Sequence, residues 1–142
     1  KPAPMKPAPK GWPRISSALY YEDAAAAIEW ICNAFDFEVR MKVEADSGTI
    51  MHSELIFGDG LIMVADQNVK SGAPSPLPAK SPRSLGGTNT QSLCVFVDDA
   101  DDHCANARAA GAKIIDEPTT HDYGDDHWAD RTYRAEDLEL DR

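Results

Sequence analysis

His52 and Glu54 place an imidazole and a carboxylate two residues apart in the apolar stretch 48–66, GTIMHSELIFGDGLIMVAD. A carboxylate beside an imidazole can orient it, take part in proton transfer, or help to hold a polar ligand. The same pair can also be a hydrogen-bonded brace, so both are candidates for catalysis or binding, with no catalytic role fixed. Other reactive groups are less well arranged. His121, Asp122, Asp125, Asp126 and His127 crowd into HDYGDDH, but nearly consecutive loop residues lack the spacing of a metal site, and a solvated loop is the preferred reading. Cys32, Cys94 and Cys104 are odd in number and lack a CxxC pair. They read as small apolar fillers in a reducing compartment. His103 is the cationic candidate beside Cys104, but adjacent helix residues do not face each other. Gly86-Gly87 has no following Lys-Ser/Thr and is not a phosphate loop. Asp66 reads as an edge-turn residue, and Trp128 as either a stacking platform or core.

The elements that must position His52 and Glu54 follow from the pattern around them. Residues 49–57 alternate, with Met51, Ser53, Leu55 and Phe57 on one face and Ile50, His52, Glu54 and Ile56 on the other. Gly58-Asp59-Gly60 then predicts a hairpin into a strand at 61–66. Upstream, 15–22 predicts a strand, Asp23 a helix cap, and 24–35 an Ala-rich helix with an Ile28, Ile31, Cys32, Phe35 stripe. A strand is expected at 37–45. Downstream, 91–98 alternates as a strand, Asp99 caps a helix over 100–110 that places His103, Cys104, Ala107 and Ala110 at helical spacing, and Gly111 ends it. Strands are then expected at 113–116 and 128–135, with a loop at 117–127 and one further strand starting at 138.

The chain has 142 residues, 42% of them hydrophobic, and a net charge of −10. Four of the 14 basic residues and none of the 24 acids lie in residues 1–14, so the rest of the chain is strongly acidic. An acidic body disfavours nucleic-acid phosphates and, beyond aiding solubility, would attract a cationic small molecule. No run approaches the ~18 apolar residues of a membrane span, and 1–13 lacks an apolar leader core, so a cytoplasmic location is expected. Five prolines in 1–13 predict an extended arm, and 67–90, rich in Pro and Gly, predicts a linker or cover.

An internal repeat organises these pieces. Superposing Asp23 on Asp99 aligns strand, cap and Ala-rich helix in both halves, with Ser16 on Ser92 and Tyr20 on Phe96. The plan is βαβββ twice: an arm at 1–14, a first module at 15–66, a linker at 67–90, and a second module at 91–142 with its last strand cut short. The fold class is α+β, the two modules pairing into a curved mixed sheet around a trough. The expected trough-side residues are Ser16, Tyr20, His52, Glu54, Ser92, Phe96 and Trp128.

Asp23–Phe37, HSEL at 52–55, SPRSLGG at 81–87, VDDADDHCANARAAG at 97–111 and WADR at 128–131 together resemble the vicinal oxygen chelate superfamily: glyoxalase I, bleomycin-resistance proteins and extradiol dioxygenases. Within it they are similar to the PhnB-like group. The resemblance implies metal-ligand positions that fall here on Ser16, Val64 and Ser92, and a fourth that lies past Arg142. Hydroxyl and isopropyl groups are poor or useless ligands for a divalent cation, so no cofactor is expected. At the end, Asp137-Leu138-Glu139-Leu140-Asp141-Arg142 replaces the group's Asp-Pro-x-Gly-His-x-Trp run. The expected function is metal-independent binding of an unidentified small molecule in the trough, by a homodimer. The alternative is a glyoxalase-like lyase or isomerase, or a dioxygenase, using His52 and Glu54 or a non-standard metal site.

Overall fold

The computed structural model describes residues 5–67 and 79–140. The first four residues of the arm, 68–78 of the linker and the last two residues lie outside that range. The elements run β1 (Ser17–Tyr21), α1 (Ala24–Phe35), β2 (Glu38–Glu44), β3 (Ile50–Phe57), β4 (Gly60–Asp66), a short 3-10 turn at Arg83–Leu85, α2 (Ala100–Ala109), β5 (Ile114–Asp122) and β6 (Ala129–Ala135). This is an α+β architecture of mixed sheet and two helices, as the sequence pattern predicts.

β1, β4, β3 and β2 form one sheet in that order, with β1 parallel to β4 and the other pairs antiparallel. The β3–β4 hairpin closes with Phe57 opposite Gly60, leaving Gly58-Asp59 as a two-residue loop. Gly58 takes φ 56° and Asp59 does not turn positive, the pattern of a type II′ turn, which matches strand twist. α1 starts where the Asp23 carboxylate accepts the Ala26 amide at 3.1 Å and ends at Asp36, whose N–H bonds the Cys32 carbonyl and whose left-handed φ of 65° then turns the chain out of the helix. Ala24, Ala27, Ile28 and Ile31 pack on Tyr21, Ile50, Leu55, Ile62 and Val64 to make the main core.

The alternation expected in β3 is broken once. Val43 pairs with His52 and Glu44 with Ile50, so Met51 has no partner and forms a bulge. The extra residue turns Ile50 into the core, fully buried beside Leu55, and leaves Met51 40% exposed. Ile50 is therefore not on the His52 face, and Met51 is not on the Leu55 face.

The second half contains α2, β5 and β6, with β5 and β6 paired as a separate two-stranded sheet. β5 runs through Asp122, well into the segment expected as loop. Residues 91–97 join no ladder and are exposed except at Val97. Their alternation is real, but strand conformation needs a hydrogen-bonded neighbour, and the described residues supply none. Residues 138–139 form a turn rather than the start of a strand, because Glu139 is drawn inward. Its carboxylate, 1% exposed, accepts the Glu22 amide at 2.7 Å and the Asp23 amide at 3.0 Å, and also the Ser81 hydroxyl. The halves meet along α1 and α2, where Ala34, Ala107 and Ala112 pack among Trp30, Phe35, Ile114 and Tyr133.

Candidate functional site

Register decides which side chains share the sheet face opposite α1, since paired residues point the same way. Met41 pairs with Glu54, Glu54 with Met63, and Met63 with Ala18, so these four form one row across the sheet. Val43 pairs with His52, and Tyr20 with Ala65. The outer face therefore carries His52 and Glu54 among Tyr20, Met41, Val43 and Met63. Tyr20, Met41 and Val43 each leave more than a third of their surface open.

Glu54 is the anchor of this face. It is 7% exposed, while Tyr20, Met41 and Val43 on the same face are open. One carboxylate oxygen bonds Arg40 Nη1 and the other bonds His52 Nε2 at 2.9 Å. A carboxylate accepts, so His52 Nε2 carries a proton, and in the neutral ring Nδ1 is then the acceptor. That ring nitrogen has no partner among the described residues. The hydrogen bond from His52, helped by Arg40 and opposed by burial, holds the Glu54 carboxyl below its ordinary range.

Arg40 reaches Glu54 because β2 has its own irregularity. Val39 pairs with Leu55 and Met41 with Glu54, which leaves Arg40 as an extra residue in the strand. The arm adds one more group. Trp12 N–H bonds the Pro9 carbonyl at 3.1 Å across a turn in which Gly11 has φ 81°, a conformation that favours glycine. The Arg40 guanidinium carbon lies over the Trp12 indole, 5.2 Å from the ring centroid. The arm is thus folded against the sheet at its C-terminal end rather than extended throughout.

The other expected site residues are placed as follows. Tyr20 lies on the same face as His52 and Glu54. Ser16 lies just ahead of β1. Ser92 and Phe96 sit on the exposed 91–97 segment, Phe96 79% exposed, and among the described residues nothing bonds them to the sheet. Trp128 precedes β6 and is 59% exposed, so it is not core. Val64 points into the core under α1 and is fully buried. The outer-face residues of β4 are instead Leu61, Met63 and Ala65. Ser16, Val64 and Ser92 therefore do not assemble a donor set for a divalent cation. Among the described residues no three His, Cys, Asp or Glu side chains converge as a metal site.

Asp66 is a brace, its oxygens accepting the Ala24 amide at 3.0 Å and the Ile50 amide at 2.6 Å. SPRSLGG is also structural. Ser81 N–H donates to Gln67 Oε1 at 2.6 Å, Ser84 Oγ to Glu22 at 2.6 Å, and Ser81 Oγ to Glu139. Sequence reasoning missed Arg40, Trp12 and Glu139. A tryptophan within a proline arm was a signal for the second. The first required knowing a bulge.

A second polar surface lies on the outer face of β5–β6. An open hollow of about 410 Å³ is lined by Asp116, Glu117, Thr119, His121, Thr132 and Arg134. His121 Nδ1 is 3.5 Å from Asp130 Oδ1, and Asp116 pairs with Arg134, and Glu117 with Arg108. His121, expected in a loop, is thus a strand residue.

Comparison with known proteins agrees with this architecture. TioX from a Micromonospora species aligns over 89% of each chain with 29% identity and a TM-score of 0.63. A glyoxalase/bleomycin resistance protein from a Streptomyces species shares the fold, with 16% identity and a TM-score of 0.60 over 88% of this chain and 91% of its own. Uncharacterized proteins of Mycobacterium bovis and Mycobacterium tuberculosis are 31% identical over 105 residues, 72% of this chain. The chain spans 65% and 58% of their lengths, respectively. A family model matches residues 14–130, and on that match the chain belongs to the Glyoxalase/Bleomycin resistance protein/Dioxygenase superfamily.

Proposed function

We propose that this chain is a metal-independent small-molecule-binding protein of the PhnB-like kind, working as a cytoplasmic homodimer and holding its ligand on the outer face of the four-stranded sheet. The carrying observation is Glu54: a nearly buried carboxylate, shared by Arg40 and His52, on a face that also carries the exposed apolar side chains of Met41 and Val43. Burying a charge is costly unless its partners are fixed. That arrangement leaves preset polar atoms beside exposed Tyr20, Met41 and Val43, a combination suited to orienting a partly apolar molecule. The expected metal positions support metal independence, because Val64 lies in the core and Ser92 on a segment outside both sheets. The test is metal analysis of protein purified without added metal, with ligand screening before and after chelator. Binding unaffected by chelator is expected. Stoichiometric tightly held Zn, Ni, Mn or Fe overturns the reading.

The His52 tautomer favours a second reading. With Nε2–H bonded to Glu54, Nδ1 is a base open to a substrate, and the pair would serve a lyase or isomerase that moves a proton. Turnover abolished by H52A, with binding retained, would establish it.

A further inference from the structure

We propose that the Arg40–Trp12 corner of the outer face is a recognition site for a carboxylate attached to a flat apolar body. This deepens the binding function proposed above and rests on it. Arg40 spends one N–H group on Glu54, while a guanidinium carries five donors in one plane. Arg40 Cζ sits over the Trp12 ring and Glu54 holds one N–H group, so the guanidinium is tethered from two sides before a ligand arrives. The Arg40 side chain remains 37% exposed. What it still offers is in-plane N–H groups, the geometry that takes a carboxylate in a bidentate manner. His52 Nδ1 adds an acceptor for a hydroxyl on the same ligand. The apolar shoulder for the ligand body is Met41 and Val43, both more than 40% exposed.

The acidic body argues for a cation only at long range. Charges beyond about 8–10 Å are screened at physiological salt, so the chain's net charge governs approach and Arg40 governs contact. Glu54 offsets the unit charge of Arg40, so recognition rests on the directed N–H groups that Arg40 keeps rather than on a net positive site.

Three probes of one shape test this on the full chain: benzoate, benzyl alcohol and benzylammonium, followed by NMR through the amides of Arg40 and Glu54 and the Trp12 indole N–H. Benzoate is expected to shift these signals saturably and to bind at least tenfold more tightly than either other probe. R40Q should cost benzoate at least tenfold and W12A about threefold, with R40K between wild type and R40Q. Unchanged amide dispersion in each variant confirms that the fold is kept. Benzylammonium binding as tightly as benzoate, or R40Q binding benzoate like wild type, overturns the carboxylate assignment. Equal binding of all three probes at these residues also overturns it but leaves the outer-face binding function standing. No shift on the outer face with any probe removes both.

Discussion

Glu54 shows how a single side chain sets the chemistry of its neighbours. Its ionised form is favoured in the folded protein because His52 and Arg40 both donate to it. A carboxyl with a lowered folded pKa adds stability above its unfolded value, about 4.3, and loses it as pH falls through the lower folded value. E54Q should therefore be less stable than wild type at pH 7 by about 1 kcal/mol, a modest figure because Arg40 and His52 are partly exposed. The gap should close as pH falls below about 4, which urea denaturation at pH 7 and pH 3 would check. An equal gap at both values would count against the pairing. His52 and Glu54 were legible as a pair sharing a face because period-two alternation holds between them. Arg40 was not, since its partner is set by a register that shifts by one residue.

At the scale of elements, the first module was readable almost throughout. Its signals are local: Asp23 as cap, the Ala-rich helix, and Gly58-Asp59 as a tight turn. The bulge at Met51 was not readable, because alternation in sequence carries no mark of an unpaired residue. Residues 91–97 failed in the opposite way, showing a clean strand pattern without a ladder in the structure. The tail failed because Glu139 prefers the free amides at the start of α1 to a strand. E139A leaves two backbone amides and the Ser81 hydroxyl without their acceptor. It should cost about 2–3 kcal/mol and loosen residues 81–87, read as faster amide exchange there. L55A, emptying a fully buried core position, should cost about 2–5 kcal/mol in the same assay without altering the outer face. Amide signals of His52 and Glu54 that stay in place would show that.

For the whole molecule, the seam between α1 and α2 is one of two connections between the halves, the other being Glu139 on the Glu22 and Asp23 amides. His103 Nε2 donates to the Phe35 carbonyl at 2.9 Å, so Nδ1 accepts the Tyr133 hydroxyl at 2.7 Å. One ring thus joins α1, α2 and β6. Burial, the main cause, pushes the Tyr133 hydroxyl up to about 12, so it stays protonated as a donor across ordinary pH. H103A should lower stability by about 1–3 kcal/mol. It should also raise amide exchange in β5 and β6 more than in the four-stranded sheet. Uniform exchange in both would mean that His103 supports the fold but does not couple its halves. Sequence comparison revealed the two halves through their caps and helices. It did not reveal what joins them, because that contact depends on Ala34 and Ala107 being small enough for the helices to approach.

The two bulges also have a consequence for changes of chain length. Removing a residue from a regular stretch of strand would turn every later side chain onto the wrong face. Met51 and Arg40 are exceptions, each standing outside the pairing on its own strand. Deleting Met51 leaves Ile50 opposite Glu44 and His52 opposite Val43, with core and outer face both preserved. Deleting Arg40 would likewise spare the ladder while erasing the guanidinium. In this sheet, then, one residue of length can be exchanged for a cation on the outer face without rewriting the core.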